Sequence, residues 1–434
     1  MWQYRHVSKT QGRILIVGGG ASGVISAIAL IRQGFEPENI DIAEPRALLG
    51  EGLAYQTRDP LHRLNVPTSR MSAIEDLPDD FAEWSDAASY SFMERRTYGA
   101  YLRERLGAGV THIRDYVTDV KDLAASEKIV SFASGDEKPY SALVLAMGHG
   151  KARLPDFLLE APKSGRIIED VWDGTELPLC ETLICFGTGL TFIDVAMTHL
   201  ARDPKNRVIA ISGSGNLPER HVQTQIVPFK PTLDEVDTLE KLRNYLSKSG
   251  EQWREAIDGL RPITEQMWRA FSPEEREEFL RSDGSAWSRR RHRIAPEVAD
   301  VVDSEIALGR IEVVSGKVAG VVATEREIKL TLEPGDTYSG DYLALCIGRD
   351  YVLSDPLTNS LLVGKKTKRG PLNMGLSVDV TSGKLQDKDG FTYPEIYAIG
   401  PLRSGEAFES TAIPEIRKQA SLIAKNLADQ LIYR

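Results

Sequence analysis

The chain of 434 residues has few cysteines and lacks any long apolar run. Its three cysteines form no C-x-x-C pair and lie in or beside apolar, strand-like segments, so we interpret them as core residues rather than redox or metal-binding groups. The seven histidines do not form H-x-x-x-H or H-E-x-x-H, and no metal site is expected. No apolar run approaches the roughly 18 residues that a membrane-spanning helix requires.

An excess of basic residues is also missing. The chain has 53 Lys and Arg against 63 Asp and Glu, a formal net charge of −10, which argues against a surface for nucleic acid or anionic membranes. Residues 1–12 lack the apolar core of a signal peptide, so we expect a cytoplasmic protein that contacts no membrane. The length suffices for two or three domains.

The strongest motif present is the glycine-rich turn G-G-G-A-S-G at 18–23, which follows the apolar run Ile14–Val17 and precedes a helix-like run. In such a turn Gly18 allows a tight bend, Gly20 lets the backbone approach a pyrophosphate, and Gly23 permits close packing of helix on strand. The N-terminus of the helix then offers free N–H groups to the anion.

The next strand-like run supports the same interpretation. Residues 40–44 end in Glu44, at the position where an acid accepts hydrogen bonds from a ribose hydroxyl. The two runs together predict a dinucleotide site, although a glycine-rich turn without a ligand remains the alternative.

A second turn, G-T-G-L-T-F at 187–192, follows the run Thr182–Phe186. Phe192 replaces the third glycine, so this motif is weaker. The next strand, at 208–211, runs into S-G-S-G at 212–215, where an acid would favour NADH and an arginine would favour NADPH. Because neither is present, the cofactor preference stays open.

A strand pattern that predicts an antiparallel meander follows each turn. The predicted strands are 116–123, 128–133 and 140–145 within residues 111–147, and 311–314, 318–323, 327–332 and 342–345 within residues 311–348. Residues 230–308 instead predict helices, with S-P-E-E at 272–275 as an N-terminal capping sequence. We favour a small separate core for the aromatic residues there over contact with a substrate.

The sequence R-R-R-H-R at 289–293 places four guanidinium groups in an acidic chain. It predicts either a solvated face or a site for phosphate or carboxylate, for which the NADPH 2′-phosphate and an acidic substrate are the two candidates. Our hypothesis is that Arg291 or Arg293 serves NADPH.

A third strand-to-glycine element at 395–401 precedes S-T-A-I-P-E at 410–415, where Pro414 suits the first turn of a helix over 415–431. Further stretches support a resemblance to a known family: the two glycine turns, G-L-A-Y at 52–55, L-N-V-P at 64–67, Y-G-A-Y-L at 98–102 and R-H-R-I-A-P at 291–296. On these stretches and the third element, residues 12–430 resemble the FAD-NAD(P)-binding family of flavoproteins with two dinucleotide-binding domains.

The resemblance implies an α/β fold with two Rossmann-like dinucleotide-binding domains, the second inserted in the first, each with an antiparallel β-meander, plus a helical insertion. Residues 12–160 and 349–434 would form the FAD-binding domain. Residues 161–348 would form the NAD(P)-binding domain, with the helical insertion at about 230–308.

The resemblance also implies FAD and NADPH (or NADH) as cofactors. Among its positions, Asn65 and Pro67 would line the flavin, Val117 would reach the adenine, and the helix at Pro414 would direct its dipole at the flavin N1–C2 carbonyl. Pro401 stands where many related reductases carry an aspartate on the ribityl hydroxyls. The residues assigned to cofactor binding are Gly18, Gly20, Ser22, Gly23, Glu44, Asn65, Pro67, Val117, Gly148, Gly187, Gly189, Thr191, Arg291, Arg293, Gly400, Pro401 and Ile413.

Without a dithiol, a disulfide-reductase mechanism is excluded. The family and its neighbours include N-hydroxylating monooxygenases, while the F-x-G-x-x-x-H-x-x-x-W signature of Baeyer–Villiger enzymes is missing from the comparable stretch at 165–172. We therefore expect an FAD-dependent monooxygenase that uses NAD(P)H to N-hydroxylate a small amine or amino acid. An NAD(P)H-dependent flavin reductase without oxygen insertion and a regulatory or scaffold flavoprotein remain alternatives, and the oligomeric state stays open.

Overall fold

The computed structural model describes residues 12–159, 164–222, 226–349 and 355–432. The expectation drawn from residues 1–11 and the predicted domain boundary after residue 160 lie outside these ranges.

The strands are β1 (Ile14–Val17), β2 (Ile40–Ala43), β3 (Thr111–Ile113), β4 (Val117–Lys121), β5 (Lys128–Phe132), β6 (Glu137–Tyr140), β7 (Ala142–Leu145), β8 (Ile167–Ile168), β9 (Thr182–Phe186), β10 (Arg207–Ser212), β11 (Ile311–Ser315), β12 (Val318–Ala323), β13 (Ile328–Leu332), β14 (Thr337–Gly340), β15 (Tyr342–Leu345), β16 (Lys384–Gln386) and β17 (Thr392–Ala398). The helices are α1 (Ala21–Arg32), α2 (Gly52–Tyr55), α3 (Asp80–Trp84), α4 (Arg95–Leu106), α5 (Asp156–Leu159), α6 (Leu190–Arg202), α7 (Leu239–Ser249), α8 (Trp253–Leu260), α9 (Thr264–Ala270), α10 (Pro273–Glu278), α11 (Gly284–Arg291), α12 (Pro296–Ala307), α13 (Pro356–Val363) and α14 (Ile413–Leu431).

The first sheet has the strand order β16-β17-β7-β1-β2-β3. β1 pairs in parallel with β2 and β7, and β17 pairs in parallel with β7, so the C-terminal segment completes the N-terminal sheet. β1 reads I-L-I-V and is buried throughout, as expected for a parallel strand covered on both faces. Helices α1, α4 and α14 contribute to the hydrophobic core on one face of this sheet.

The second sheet has the strand order β11-β10-β9-β15-β8, and its strands run in parallel. All of these strands lie between β7 and β16 in the chain, so the second domain is inserted in the first. The predicted fold class is confirmed, while the predicted boundary residues stay a prediction.

Each domain carries an antiparallel meander, β4-β5-β6 in the first and β12-β13-β14 in the second. The sequence-based strand at 140–145 is wrong in detail, because β6 ends at Tyr140 in the meander and β7 begins at Ala142 in the parallel sheet. The backbone N–H of Ser141, between them, donates to the carbonyl of Arg13 at 2.8 Å. The strand β14, which the sequence did not indicate, precedes β15 in the same way. Apolar periodicity does not reveal where a chain passes from one sheet to another.

Helices α7–α11 form the helical insertion, and α7, α8, α9 and α11 contribute to the aromatic core that the sequence predicted, whereas α12 packs in the core of the second domain. The central residue of the aromatic core, Trp268, stacks on Phe408 of the C-terminal segment with ring centroids 4.6 Å apart. The indole N–H of Trp268 donates to the carbonyl of Gly405 at 3.0 Å. The predicted cap is also present, since Ser272 and Glu275 form a capping box at the start of α10. The insertion therefore packs on the segment that leads into α14.

Candidate cofactor site

The glycines of the first turn differ in what their missing side chains allow. A Cβ on Gly18, whose φ is +101°, would lie 2.4 Å from the carbonyl oxygen of Ala146, and a Cβ on Gly23 would lie 1.9 Å from that of Gly18. These two glycines are required by the protein's own packing. A Cβ on Gly20 would meet only the Cα of Gly52, at 3.5 Å, which is an ordinary contact. The space above Gly20 is thus available to a ligand, as the motif predicts for a pyrophosphate.

The carboxylate of Glu44 lies beside this turn and is 4% exposed. It accepts hydrogen bonds from the backbone N–H of Gly19 at 3.0 Å and of Arg46 at 3.0 Å, and from the guanidinium of Arg46 at 3.1 Å. An ionised carboxylate offers about four acceptor positions, so Glu44 retains capacity for a ribose hydroxyl.

The C-terminal segment reaches the same turn. A Cβ on Gly400, whose φ is +69°, would lie 3.0 Å from the hydroxyl oxygen of Ser22. Gly400 is fixed from the other side, because its N–H donates to the Gln419 side chain at 2.9 Å and its carbonyl accepts from Ser410 at 3.0 Å. Pro401 follows in a buried turn. Gly400 therefore lies beside Ser22 of the first turn, as expected if both contact the phosphates and ribityl chain of FAD.

Three of the helix N-termini that lack a side-chain cap lie where a cofactor is expected. The N-cap residues are Gly20 for α1, Gly189 for α6 and Ala412 for α14, and none of these caps carries a side-chain hydrogen bond. Their first-turn N–H groups and the positive end of each helix dipole are available to a negatively charged ligand. Ile413 begins α14, at the position expected to face the flavin.

The remaining FAD positions are less closely connected to this space. The carbonyl of Asn65 accepts a hydrogen bond at 3.0 Å from Nε2 of His221, which comes from the second domain. Pro67 begins a 3-10 turn, and Val117 is buried at the start of β4. Gly148 has a φ of +76° and open space where a Cβ would stand. Their assignments stay predictions.

The second turn repeats the geometry of the first. A Cβ on Gly187, whose φ is +110°, would lie 2.4 Å from the carbonyl oxygen of Cys346, as Gly18 does from Ala146. A Cβ on Gly189 would have no atom of the described residues within 4 Å, so this position is open to a ligand. Thr191 lies in the first turn of α6, and Phe192, at the third glycine position, is fully buried in the second domain's core.

The segment after β10 folds back onto this turn. The hydroxyl of Thr188 lies 2.9 Å from that of Ser212 and donates to the carbonyl of Asn216 at 2.7 Å. Residues 212–215 carry no charged side chain, so the choice between NADH and NADPH stays open.

Arg291 and Arg293 are held by carboxylates. Arg293 is 2% exposed and makes two hydrogen bonds to Asp258, at 2.9 and 3.3 Å. Arg291 lies 3.6 Å from Glu409 and 3.8 Å from Glu415. Within the described ranges, neither guanidinium contacts residues 212–215, so the hypothesis that one of them binds NADPH stays a prediction without support from these contacts.

Replacing Arg293 with glutamine is expected to destabilise the protein. Asp258 would remain buried, with Arg70 at 3.6 Å as its nearest remaining cation. Breaking a buried ion pair costs about 3–5 kcal/mol, so urea unfolding should show a loss of this size in the free energy of unfolding. Arg289→Gln is the matched control, because Arg289 makes an exposed hydrogen bond to Ser285. Equal unfolding midpoints for the two variants would contradict the structural role of the Arg293–Asp258 pair.

A cavity of about 760 Å³ opens between the helical insertion and the start of α14. Its walls include Arg70, Arg291, Glu409, Ser410 and Glu415. Arg291, Ser410 and Glu415 lie in stretches that the sequence singled out, whereas Arg70 and Glu409 carry no local pattern. These wall residues meet only because the insertion packs on the C-terminal segment.

Two of the three cysteines are core residues, as predicted, while Cys180 is partly exposed beside the same core. Cys185 and Cys346 are buried in the core of the second domain, and burial raises the pKa of the Cys185 thiol well above its usual value. A thiol in this state is a poor nucleophile at neutral pH. In the described part of the chain, no helix is long and apolar enough to cross a membrane, and no cluster of three or more His, Cys, Asp or Glu residues has a metal-binding arrangement.

Residues 15–150 match the family model described as FAD-NAD(P)-binding. Comparison with curated proteins gives no match.

Solved structures share the fold over nearly the whole chain. The ornithine N-hydroxylase of Kutzneria sp. 744, with reduced FAD, NADP+ and L-ornithine, is 15% identical, with a TM-score of 0.63 over 97% of this chain and 99% of that one. An FAD-bound cadaverine monooxygenase from Erwinia amylovora is 12% identical, with a TM-score of 0.63 over 98% and 96%. The bacillithiol disulfide reductase of Staphylococcus aureus is 14% identical, with a TM-score of 0.58 over 96% and 98%.

At these identities the structural likeness establishes the fold, which monooxygenases and disulfide reductases share. Residues 15–150 form an FAD-NAD(P)-binding domain, as predicted, in a chain that shares its fold with these monooxygenases and this reductase.

Proposed function

We propose that this protein is an FAD-dependent oxidoreductase that takes reducing equivalents from NAD(P)H and N-hydroxylates a small amine or amino acid. FAD would lie along Gly20, Ser22 and Gly400, with its ribose at Glu44. The nicotinamide nucleotide would bind at Gly189. Bound FAD supplies the hydride acceptor and the reaction with oxygen.

The protein's own groups would favour the reduced cofactor. The positive end of the α14 dipole stabilises negative charge near its N-terminus, where the flavin N1–C2 edge is expected. The hydrogen bond from His221 to the carbonyl of Asn65 joins the second domain to the expected flavin side of the first. Burial lowers the pKa of His221 to about 4, so this ring is neutral at physiological pH and donates its Nε2–H to the carbonyl.

One observation carries the choice of an oxygenase over a disulfide reductase. The helical insertion covers the start of α14 and leaves a cavity of about 760 Å³ there, of a size that suits a small substrate. Glu409 and Glu415 offer acceptors for an ammonium group in this cavity. A disulfide reductase would instead need a dithiol against the flavin, whereas Cys185 and Cys346 lie in the core of the second domain.

Coupling of NADPH oxidation to product formation tests this proposal. The purified protein is incubated with NADPH, oxygen and a panel of diamines and basic amino acids, and hydroxylamine product and hydrogen peroxide are both measured. We expect at least one amine to yield product while lowering the peroxide released per NADPH. NADPH oxidation with peroxide as the sole product across the panel would favour the flavin reductase instead.

A further inference from the structure

We propose that the cavity beside α14 binds the acidic group of a small molecule, a carboxylate or a phosphate, through Arg291 and Arg403. The inference rests on the proposed function only in naming this molecule as the substrate, since binding itself is measured without turnover.

The cavity carries more positive than negative charge. Seven basic side chains and five carboxylates line it, an excess of two positive charges in a chain whose formal net charge is −10. An anion entering this space would meet a positive potential that most of the chain does not provide.

Arg403 has donors to spare. Its side chain is 2% exposed, and it donates from Nη2 to the carbonyl of Val380 at 2.6 Å. Its Nε and Nη1 atoms are buried and have no hydrogen-bond partner among the described residues. Burial lowers the pKa of Arg403 below its usual value, which reflects the cost of holding this charge away from water. Buried donors of a charged group are normally satisfied, so Arg403 is short of acceptors among the described residues. Because both atoms are buried, the Arg403 side chain must shift for a ligand in the cavity to reach them.

Arg291 is also incompletely paired. Its side chain is 8% exposed, and its distances of 3.6 and 3.8 Å to Glu409 and Glu415 exceed the usual hydrogen-bond range of about 2.7–3.2 Å. Burial and the neighbouring charge of Arg261 lower the pKa of Arg291.

The two carboxylates near Arg291 have closer partners of their own. Glu415 accepts from Arg261 at 3.1 Å, and Glu409 accepts from the indole N–H of Trp287 at 2.9 Å. Glu409 also has a φ of +61°, a conformation that a non-glycine residue adopts at a cost and that occurs often at ligand-binding sites.

These features define the ligand chemistry. A guanidinium binds a carboxylate or a phosphate through two parallel hydrogen bonds. Either anion would supply the acceptor oxygens that Arg291 and Arg403 lack. The NADPH 2′-phosphate is a less suitable occupant, since the open end of the second turn is at residues 212–215 and these arginines make no described contact with it.

Titration calorimetry on the full-length, FAD-loaded protein tests the inference in the absence of NAD(P)H. The probes are succinate, glutamate and inorganic phosphate, with neutral succinamide as the control and NADPH as a separate arm. We expect saturable binding of at least one anion and none of succinamide. A preference for succinate or glutamate identifies a carboxylate ligand, and a preference for phosphate identifies a phosphate ester.

Variants then locate the binding site. Arg291→Gln and Arg403→Gln should each weaken anion binding by about 10- to 150-fold, the loss of one charge-assisted hydrogen bond, with NADPH binding unchanged. Arg289→Gln, two residues away on the same helix, should bind as the original protein does. If Arg291→Gln matched Arg289→Gln, or if no probe bound, the inference would be wrong.

Glu415→Gln provides a test of opposite sign. Removing this carboxylate frees Arg261 and Arg291 from a competing acceptor, so anion binding should tighten severalfold. Weaker anion binding with FAD content retained would overturn the inference. Damage to the fold would instead lower both anion binding and FAD content. A protein that binds the anion but fails to hydroxylate any amine would retain this inference and lose the proposed function.

Discussion

Gly20→Val is expected to give a folded protein that holds no FAD. A Cβ at this position meets only the Cα of Gly52 at 3.5 Å, so the protein itself tolerates a small side chain. A pyrophosphate that must touch the backbone would be displaced by the two added methyl groups. FAD content after purification is measured by absorbance, and the fold is followed by circular dichroism.

The comparison variant for Gly20→Val is Gly23→Ala. Its Cβ would lie 1.9 Å from the carbonyl oxygen of Gly18, so it should lose both the fold and FAD. The pair separates loss of the ligand from loss of structure. Stoichiometric FAD in Gly20→Val would refute the assignment of the first turn.

Gly189→Val should retain FAD and lose its reduction by nucleotide. The side chain enters open space above the second turn, where the nicotinamide nucleotide is expected, and leaves the first turn untouched. We expect anaerobic reduction by NADPH and by NADH to slow at least about tenfold, which requires only about 1.4 kcal/mol of lost stabilisation. Stopped-flow absorbance of the flavin measures the rate.

The control for Gly189→Val is Gly320→Ala, whose Cβ also has no described atom within 4 Å and lies in strand β12 of the meander. It should affect reduction much less. Unchanged rates in Gly189→Val would place the nucleotide elsewhere and favour a regulatory flavoprotein.

The parts of the fold that the sequence predicted are those set by neighbouring residues. β1, the turn at 18–23 and α1 form one continuous unit, which the sequence showed as an apolar run, a glycine-rich turn and a helix-like run. The repeat of this unit at 182–202 was visible for the same reason. Phe192 weakened the second motif in the sequence, but its burial in the core shows that α6 packs on its sheet around a phenylalanine.

Two features could not be predicted from neighbouring residues: the places where the chain passes from one sheet to another, and the charged cavity. The chain leaves one sheet and enters another at Ser141 and again at Asp341. At Ser141 the sequence predicted a single strand across the change of sheet, and at Asp341 it did not indicate β14. The charged cavity brings residues of the helical insertion to Glu409 and Glu415, more than 100 positions away in the chain. Such a site depends on tertiary packing. The basic cluster at 289–293 predicted only its ligand chemistry, a phosphate or a carboxylate.

The reaction of the reduced protein with oxygen tests the central claim most directly. The FAD-loaded protein is reduced anaerobically with one equivalent of NADPH and mixed with oxygenated buffer in a stopped-flow spectrophotometer. The account predicts bleaching by NADPH, then a long-lived absorbance distinct from oxidised and reduced FAD that decays faster when an accepted amine is present. Immediate return of the oxidised FAD spectrum, with one hydrogen peroxide released per NADPH and no effect of any amine, would contradict it.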